Sequence, residues 1–304
     1  MKIGIPRALL YHKYNILWEN FFEYLGIDTI TSIPSNKDLL ETGIKYSPDE
    51  ACLSLKLYLG HIKYLSNKCD YILIPRIESL NKNEKLCTNF MALYDIVENT
   101  FNVKILNYNV DVKKGYDELY AFISLANNLG ISRIKAIKAY RYAKEKETEF
   151  QNEKIIKQES NLTSNNLKIL VAGHSYNLHD ELIGIPITKY LKQNNVIPIF
   201  SDICKKSYKD FNPNIISKDI YWSYNKEIFS SINHYLDKVD GIILLSTFPC
   251  GPDSLCNEMI IRKIKDTPII TIIVDELNND AGLITRLESF IEILKDKKES
   301  EIYE

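Results

Sequence analysis

The sequence lacks any long apolar run, and this argues against a protein that spans a membrane. No segment approaches the ~20 consecutive apolar residues that cross a bilayer as a helix. The first residues, MKIGIPRALLYHKYNILW, also have too few consecutive apolar side chains for a signal peptide. We therefore expect a cytoplasmic protein.

An excess of charge of either sign is also missing. Lys and Arg total 38 against 40 Asp and Glu, which gives a formal net charge of -2, and the basic residues are spread along the chain. Proteins that bind nucleic acid usually carry a concentrated basic face. We therefore do not expect nucleic acid as a partner.

Common nucleotide and metal motifs are absent as well. There is no G-x-x-x-x-G-K-[ST] segment, and VAGHSYN has too few glycines for a dinucleotide fingerprint. Without a phosphate-binding motif, the chain is not expected to bind and split ATP by itself. None of the six cysteines forms a C-x-x-C pair, so a zinc ribbon has little support.

What the sequence does contain is a repeated alternation of strand-like and amphipathic helical segments. This alternation occurs on both sides of a charged stretch and is typical of parallel sheets covered by helices. It predicts an α/β protein with two Rossmann-like domains, at residues 1–150 and 167–304, joined by a linker at 151–166. In the first domain, Ser47 is predicted to cap a helix that would hold Cys52 in its first two turns.

Candidate functional residues lie in the polar turns that follow the predicted strands, because open parallel sheets bind ligands beyond the carboxyl ends of their strands. These turns are PRAL, PRIES, GHSYNLHD, PCGPDS and DELNNDAG. Cys250 lies in PCGPDS at a helix start, where the helix N-terminus favours a thiolate. Cys52 lies near another helix start, and Cys87 lies in a polar loop.

The spacing of the cysteines leaves three interpretations open. Cys52, Cys87 and Cys250 could share a metal or iron–sulfur site, or the cysteines could be unrelated and buried, as is expected for Cys69 and Cys204. The third interpretation is a single nucleophilic thiol with a histidine base. The best-placed bases, His174 and His179, follow a predicted strand, whereas Asp253 and Ser254 are expected to cap the helix after Cys250.

Five longer motifs carry a family resemblance when they are taken in order. They are KIGIPRALLYHKYNILWENFFEYLG, SPDEACLSLKLYLGHIKYL, CDYILIPRI, FPCGPDS and DELNNDAGLITRLESF. Together they resemble proteins related to the 2-hydroxyacyl-CoA dehydratase subunits and the double-cubane-cluster reductases. The resemblance is to the branch labelled CoA protein activase or acyl-CoA dehydratase activase-related.

The resemblance implies an iron–sulfur protein of anaerobic metabolism. By this resemblance Cys52, Cys87 and Cys250 are metal ligands of a 4Fe-4S or double-cubane cluster. Four further residues are expected near that cofactor, where they would donate hydrogen bonds or positive charge: Arg7, Lys56, His61 and Arg76.

The function implied is oxidoreductase chemistry. The chain would receive low-potential electrons from an ATP-hydrolysing ASKHA-type activase and use them for a difficult reduction or a reductive dehydration. The alternative is a non-catalytic cluster-bearing subunit or electron carrier that pairs with a paralogous chain, and a third hypothesis is a cluster-free α/β binding protein. The expected assembly is a homodimer or a heterodimer with a paralogous subunit.

Overall fold

The computed structural model describes residues 1–204, 216, 220–277 and 280–303. The chain divides into two compact units, which we call unit 1 (Met1–Asn152 with Tyr221–Ser223) and unit 2 (Glu153–Ile220 with Tyr224–Glu304). Each unit contains a four-stranded parallel sheet flanked by helices, which confirms the predicted α/β fold. Among the described helices, none is both long and apolar enough to cross a membrane.

Unit 1 is built on a sheet with the strand order β2-β1-β3-β4. Its elements along the chain are β1 (Lys2–Ile5), α1 (Tyr11–Leu25), β2 (Asp28–Thr31), α2 (Lys37–Ile44), α3 (Leu53–Leu65), β3 (Tyr71–Ser79), α4 (Thr88–Thr100), β4 (Ile105–Asp111), α5 (Glu118–Asn128) and α6 (Arg133–Leu162). The last helix, α6, runs through most of the segment predicted as a linker, and its residues from Glu153 onward belong to unit 2.

Unit 2 repeats the same topology with the strand order β6-β5-β7-β8. Its elements are β5 (Lys168–Ala172), α7 (Ser175–Leu178), α8 (Gly184–Gln193), β6 (Ile197–Phe200), α9 (Ser223–Tyr235), β7 (Gly241–Thr247), α10 (Gly251–Lys263), β8 (Ile269–Val274) and α11 (Asp280–Tyr303). Part of the predicted polar turn DELNNDAG, residues 278 and 279, lies outside the described residues.

The strands inside each sheet follow directly from their composition. Every residue of β7, GIILLST, is buried, because a strand in the interior of a parallel sheet is covered by helices on both faces. Helix α1 buries Leu17, Phe21 and Phe22 against its sheet. It ends as predicted at Gly26, whose φ of 72° places it in the left-handed region that terminates helices.

Helices α2 and α3 approach each other through two glycines. A Cβ atom built on Gly43 would lie 1.8 Å from the backbone oxygen of Lys56, and one built on Gly60 would lie 2.0 Å from that of Leu39. Neither glycine could carry a side chain without separating the helices. This close crossing holds α3 against α2, a helix that the sequence analysis did not predict.

The predicted start of α3 was wrong. The helix begins at Leu53, and Cys52 is its N-cap instead of a residue inside it. Ser47 lies before the N-cap of α3, and its hydroxyl donates a hydrogen bond back to the carbonyl oxygen of Ile44, at the end of α2, at 3.3 Å. The capping pattern in the sequence therefore belongs to the turn between the two helices.

Candidate functional site

Both units have a crevice position at the carboxyl end of the sheet. In each sheet the first strand along the chain lies between the second and the third strands, so successive crossovers leave in opposite directions. Doubly wound sheets bind ligands at this reversal of strand order. The relevant loops are those after β1 and β3 in unit 1 and those after β5 and β7 in unit 2.

In both units a serine that follows the second strand contacts the loop after the first strand. In unit 1 the backbone N–H of Arg7 donates to Oγ of Ser32 at 2.8 Å. In unit 2 the backbone N–H of Gly173 donates to Oγ of Ser201 at 3.0 Å, and that hydroxyl donates to the carbonyl oxygen of Gly173 at 2.9 Å. The loops at the two carboxyl edges are therefore held by the same kind of contact.

His61 is a second tie in unit 1. Its Nδ1 lies 2.8 Å from Oγ of Ser32 and its Nε2 lies 3.1 Å from Oγ of Ser35, so both ring nitrogens are engaged. Burial, together with the nearby charge of Arg7, lowers the pKa of His61 to about 3. His61 is therefore neutral and fixes the loop after β2, while its role beside a cofactor stays a prediction.

The other predicted cofactor residues of unit 1 have separate partners. The Lys56 side chain is buried, and its Nζ donates to the carbonyl oxygen of Asp49 at 3.0 Å. Arg76 forms an ion pair with Asp95, and its guanidinium carbon lies 5.2 Å from the centroid of the Tyr94 ring. Of the four predicted residues, Arg7 and His61 interact electrostatically.

The three predicted cluster ligands share one structural position. Each is the N-cap of a helix, with Cys52 before α3, Cys87 before α4 and Cys250 before α10, and each is partly exposed. The side-chain amide of Asn89, in the first turn of α4, donates to Sγ of Cys52 at 3.7 Å. This contact links the starts of α3 and α4 within unit 1.

These cysteines do not form a complete cluster site within either unit. Cys52 and Cys87 belong to unit 1, whereas Cys250 belongs to unit 2. Among the described residues, no group of three or more His, Cys, Asp or Glu side chains could hold a metal ion. The assignment of these cysteines as ligands stays a prediction.

Asp253 forms the polar centre at the carboxyl edge of unit 2. It is buried in the first turn of α10, where its Oδ1 lies 2.8 Å from Nε2 of His174 and accepts a hydrogen bond from the amide of Asn225 at 2.8 Å. Burial alone would raise the pKa of Asp253, but His174, Asn225 and the Cys250 side chain together hold that pKa below its usual value. Asp253 is therefore ionised.

This arrangement corrects the predicted capping role of Asp253 and Ser254. The N-cap of α10 is Cys250 with no side-chain cap hydrogen bond, and Ser254 donates to the carbonyl oxygen of Cys250 at 2.7 Å. The sequence indicates His174 and Asp253 as separate candidates but does not predict their pairing, because 79 residues separate them. The second candidate base, His179, instead contacts Asp202 at 2.7 Å.

The three remaining cysteines are Cys69, Cys204 and Cys256. Cys256 is buried, and burial together with the charge of Asp253 raises the pKa of its thiol to about 12. Cys69 and Cys204 were expected to be buried but are half-buried, and Cys69 donates to the carbonyl oxygen of Leu65 at 3.4 Å.

Comparison with known proteins gives one family match. The model of the family described as "CoA enzyme activase uncharacterised domain (DUF2229)" matches residues 2–204. No curated protein matches the chain. A solved structure described as "Crystal structure of ZnuA" is similar over 97% of this chain and 98% of its own, with 12% sequence identity and a TM-score of 0.26.

The family match overturns the function predicted from the sequence. Its description concerns CoA enzyme activases, so it supports the activase-related branch of the resemblance and not the dehydratase subunits. The prediction of an iron–sulfur electron-transfer protein that receives electrons from an activase is therefore wrong, as is its alternative, a cluster-bearing subunit or electron carrier. Because the match spans about two thirds of its residues, the chain belongs to the family of the CoA enzyme activase uncharacterised domain.

Proposed function

We propose that this chain acts on the activase side of a CoA-dependent enzyme system, as a component that assists the ATP-dependent activation of that enzyme. The family match over residues 2–204 is the observation that carries this proposal. The matched segment contains the whole sheet of unit 1 and the first two strands of unit 2. The contacts among Arg7, Ser32 and His61 therefore lie entirely within it.

In this function, a separate protein would hydrolyse the ATP. Since the chain has no P-loop motif, the ATP would be split by an ASKHA-type activase, and this chain would bind that activase, its target enzyme, or both. This activity would take place in the cytoplasm. Association as a homodimer, or as a heterodimer with a paralogous chain, would be compatible with the same role.

The carboxyl edge of unit 1 is the surface that we favour for this association. Arg7 is half-buried there, and its backbone is held in place by Ser32. The loop that carries Ser32 is in turn fixed by His61. A guanidinium group on a rigid backbone suits a carboxylate or phosphate group of a partner, because its planar donors match such oxygens.

Binding measurements test the proposal directly. The purified full-length chain would be mixed with an ASKHA-type activase or with its CoA-dependent target enzyme, with and without ATP. Complex formation would be followed by size-exclusion chromatography and isothermal titration calorimetry, and the chain alone would report its own oligomeric state. We expect a complex with at least one of the two proteins.

Two arginine variants test whether binding depends on Arg7 at the carboxyl edge or on positive charge in general. Arg7→Ala should weaken the complex, whereas Arg133→Ala, which removes an exposed arginine at the start of α6, should leave it unchanged. The absence of any complex under all these conditions would overturn the proposed function. Equal weakening by both variants would overturn only the choice of surface.

A further inference from the structure

One ring nitrogen of His174 is held inside unit 2, and the other has no hydrogen-bond partner among the described residues. Its Nε2 contacts Asp253 at 2.8 Å, and His174 makes no other side-chain hydrogen bond in the part of the chain that the structure describes. Its residue surface is 7% exposed. Nδ1 of His174 is also not completely buried. A small group can therefore reach this side of the ring.

The hydrogen bonds of Asp253 decide which nitrogen of His174 carries the hydrogen. A carboxylate oxygen accepts hydrogen bonds, and Oδ1 of Asp253 already accepts one from the amide of Asn225, so Nε2 of His174 is the donor. In the neutral ring the hydrogen is then on Nε2, and Nδ1 has a free lone pair. The same carboxylate stabilises the imidazolium that forms when Nδ1 takes up a proton.

The surrounding side chains fix the plane of the ring. The Tyr176 ring stacks on His174 with centroids 5.0 Å apart and planes at 17°, and Tyr224 approaches edge-on at 6.3 Å. Asn225 holds Asp253 from α9, and Cys250 faces the same carboxylate from the start of α10. Because four side chains converge on this pair, His174 has a defined orientation at the carboxyl edge.

The position of the pair is the one at which doubly wound sheets bind ligands. His174 follows β5 and Asp253 lies in the helix after β7, and these two strands flank the reversal of strand order in unit 2. His61 of unit 1 provides the contrast, because serine hydroxyls contact both of its nitrogens. A purely structural histidine has both ring nitrogens engaged in this way, whereas in the described part of the chain only Nε2 of His174 is engaged.

We propose that His174 is a proton-accepting site: its Nδ1 takes a hydrogen bond, and then a proton, from the O–H group of a small ligand or water held at this edge of unit 2. The O–H electron pair stays on the oxygen, which becomes an alkoxide or hydroxide nucleophile, and the imidazolium returns the proton later. Asp253 is the positioning residue. This inference does not rest on the proposed function.

Nitrogen NMR of the full chain labelled with ¹⁵N-histidine tests the tautomer. In alkaline solution His174 should show a protonated Nε2 and an unprotonated Nδ1, and the His174→Gln variant assigns its signals by their loss. A His174 ring protonated on Nδ1 would overturn the proposal. A shift of the His174 signals on addition of glycerol or ribose would support a ligand hydroxyl as the donor.

Chemical modification tests the open nitrogen independently. Diethyl pyrocarbonate reacts with unprotonated, accessible imidazole nitrogens, so we expect labelling of His174 and protection of His61, located by peptide mass mapping. Asp253→Asn should slow the labelling of His174, since the neutral amide stabilises the developing imidazolium less than the carboxylate does. Protection of His174 as complete as that of His61, or a rate that Asp253→Asn leaves unchanged, would contradict the proposal.

Discussion

Oγ of Ser32 accepts a hydrogen bond from the backbone N–H of Arg7, and this contact recurs in unit 2 between Ser201 and Gly173. In each unit the serine directly follows the second strand, and its partner lies in the loop after the first strand. The two units are therefore built on one plan. They differ in the histidine beside this contact. In unit 1 both ring nitrogens of His61 contact serine hydroxyls, whereas in the described part of unit 2 only Nε2 of His174 contacts a side chain.

Replacing His61 should destabilise unit 1 in a measurable way. His61→Ala removes a buried ring and leaves Ser32 and Ser35 without their shared partner, which we expect to cost roughly 2–4 kcal/mol of unfolding free energy. Both tryptophans, Trp18 and Trp222, belong to unit 1, so their fluorescence during urea unfolding reports its stability. A loss no larger than that of His12→Ala, which removes a partly exposed histidine of α1 in unit 1, would contradict the buried, doubly bonded environment.

The same residue predicts a pH dependence. The pKa of His61 falls from 6.5 to about 3 on folding, so the unfolded chain binds more protons between these values and stability falls as the pH is lowered from about 6.5. The stability advantage of the wild type over the non-titrating His61→Gln variant should shrink by about 1.4 kcal/mol between about pH 7.5 and about pH 5.5. A constant difference across this range would show that the imidazole is not kept neutral by burial.

The crossing of α2 and α3 predicts a strong effect of a single methyl group. Gly43→Ala places Cβ against the backbone oxygen of Lys56, and we expect a loss of roughly 1–3 kcal/mol because helix backbones cannot move aside cheaply. Gly282→Ala is the control, since nothing lies within 4 Å of a Cβ at that helical position. Thermal melting should separate the two variants, and equal melting temperatures would contradict the close crossing.

The cysteines should differ in reactivity according to their positions. Cys52, Cys87 and Cys250 are partly exposed at helix starts, where a thiolate is favoured, whereas Cys256 is buried and its thiol has a pKa raised to about 12. Iodoacetamide should therefore label these N-cap cysteines well before Cys256 in the folded protein. Peptide mass spectrometry at increasing times would check the order, and early labelling of Cys256 would contradict it.

The sequence was most informative about individual elements. Apolar runs such as GIILLS predicted strands, and the spacing of apolar residues with Gly26 predicted α1, because burial leaves a direct pattern in the chain. Local patterns failed between residues 36 and 53. There the capping signal at Ser47 was read as a helix start, although this serine closes the turn after α2.

The candidate sites were less predictable because they depend on contacts between distant residues. His174 and Asp253 were each noticed at a strand end, but their pairing requires β5 and β7 to be neighbours. The closure of His61 by two serines likewise depends on how α3 packs beside the loop after β2. The common strand order of the two units was invisible for the same reason, since strand neighbours are set by topology and not by sequence adjacency.

The most direct test of the proposed function is the rate at which an ASKHA-type activase and ATP activate their CoA-dependent target enzyme, measured with and without this chain. We expect the purified chain to raise this rate, and we expect Arg7→Ala to reduce the increase while Arg133→Ala does not. An activation rate that is the same with and without the chain, at concentrations that saturate the measured complex, would contradict the account.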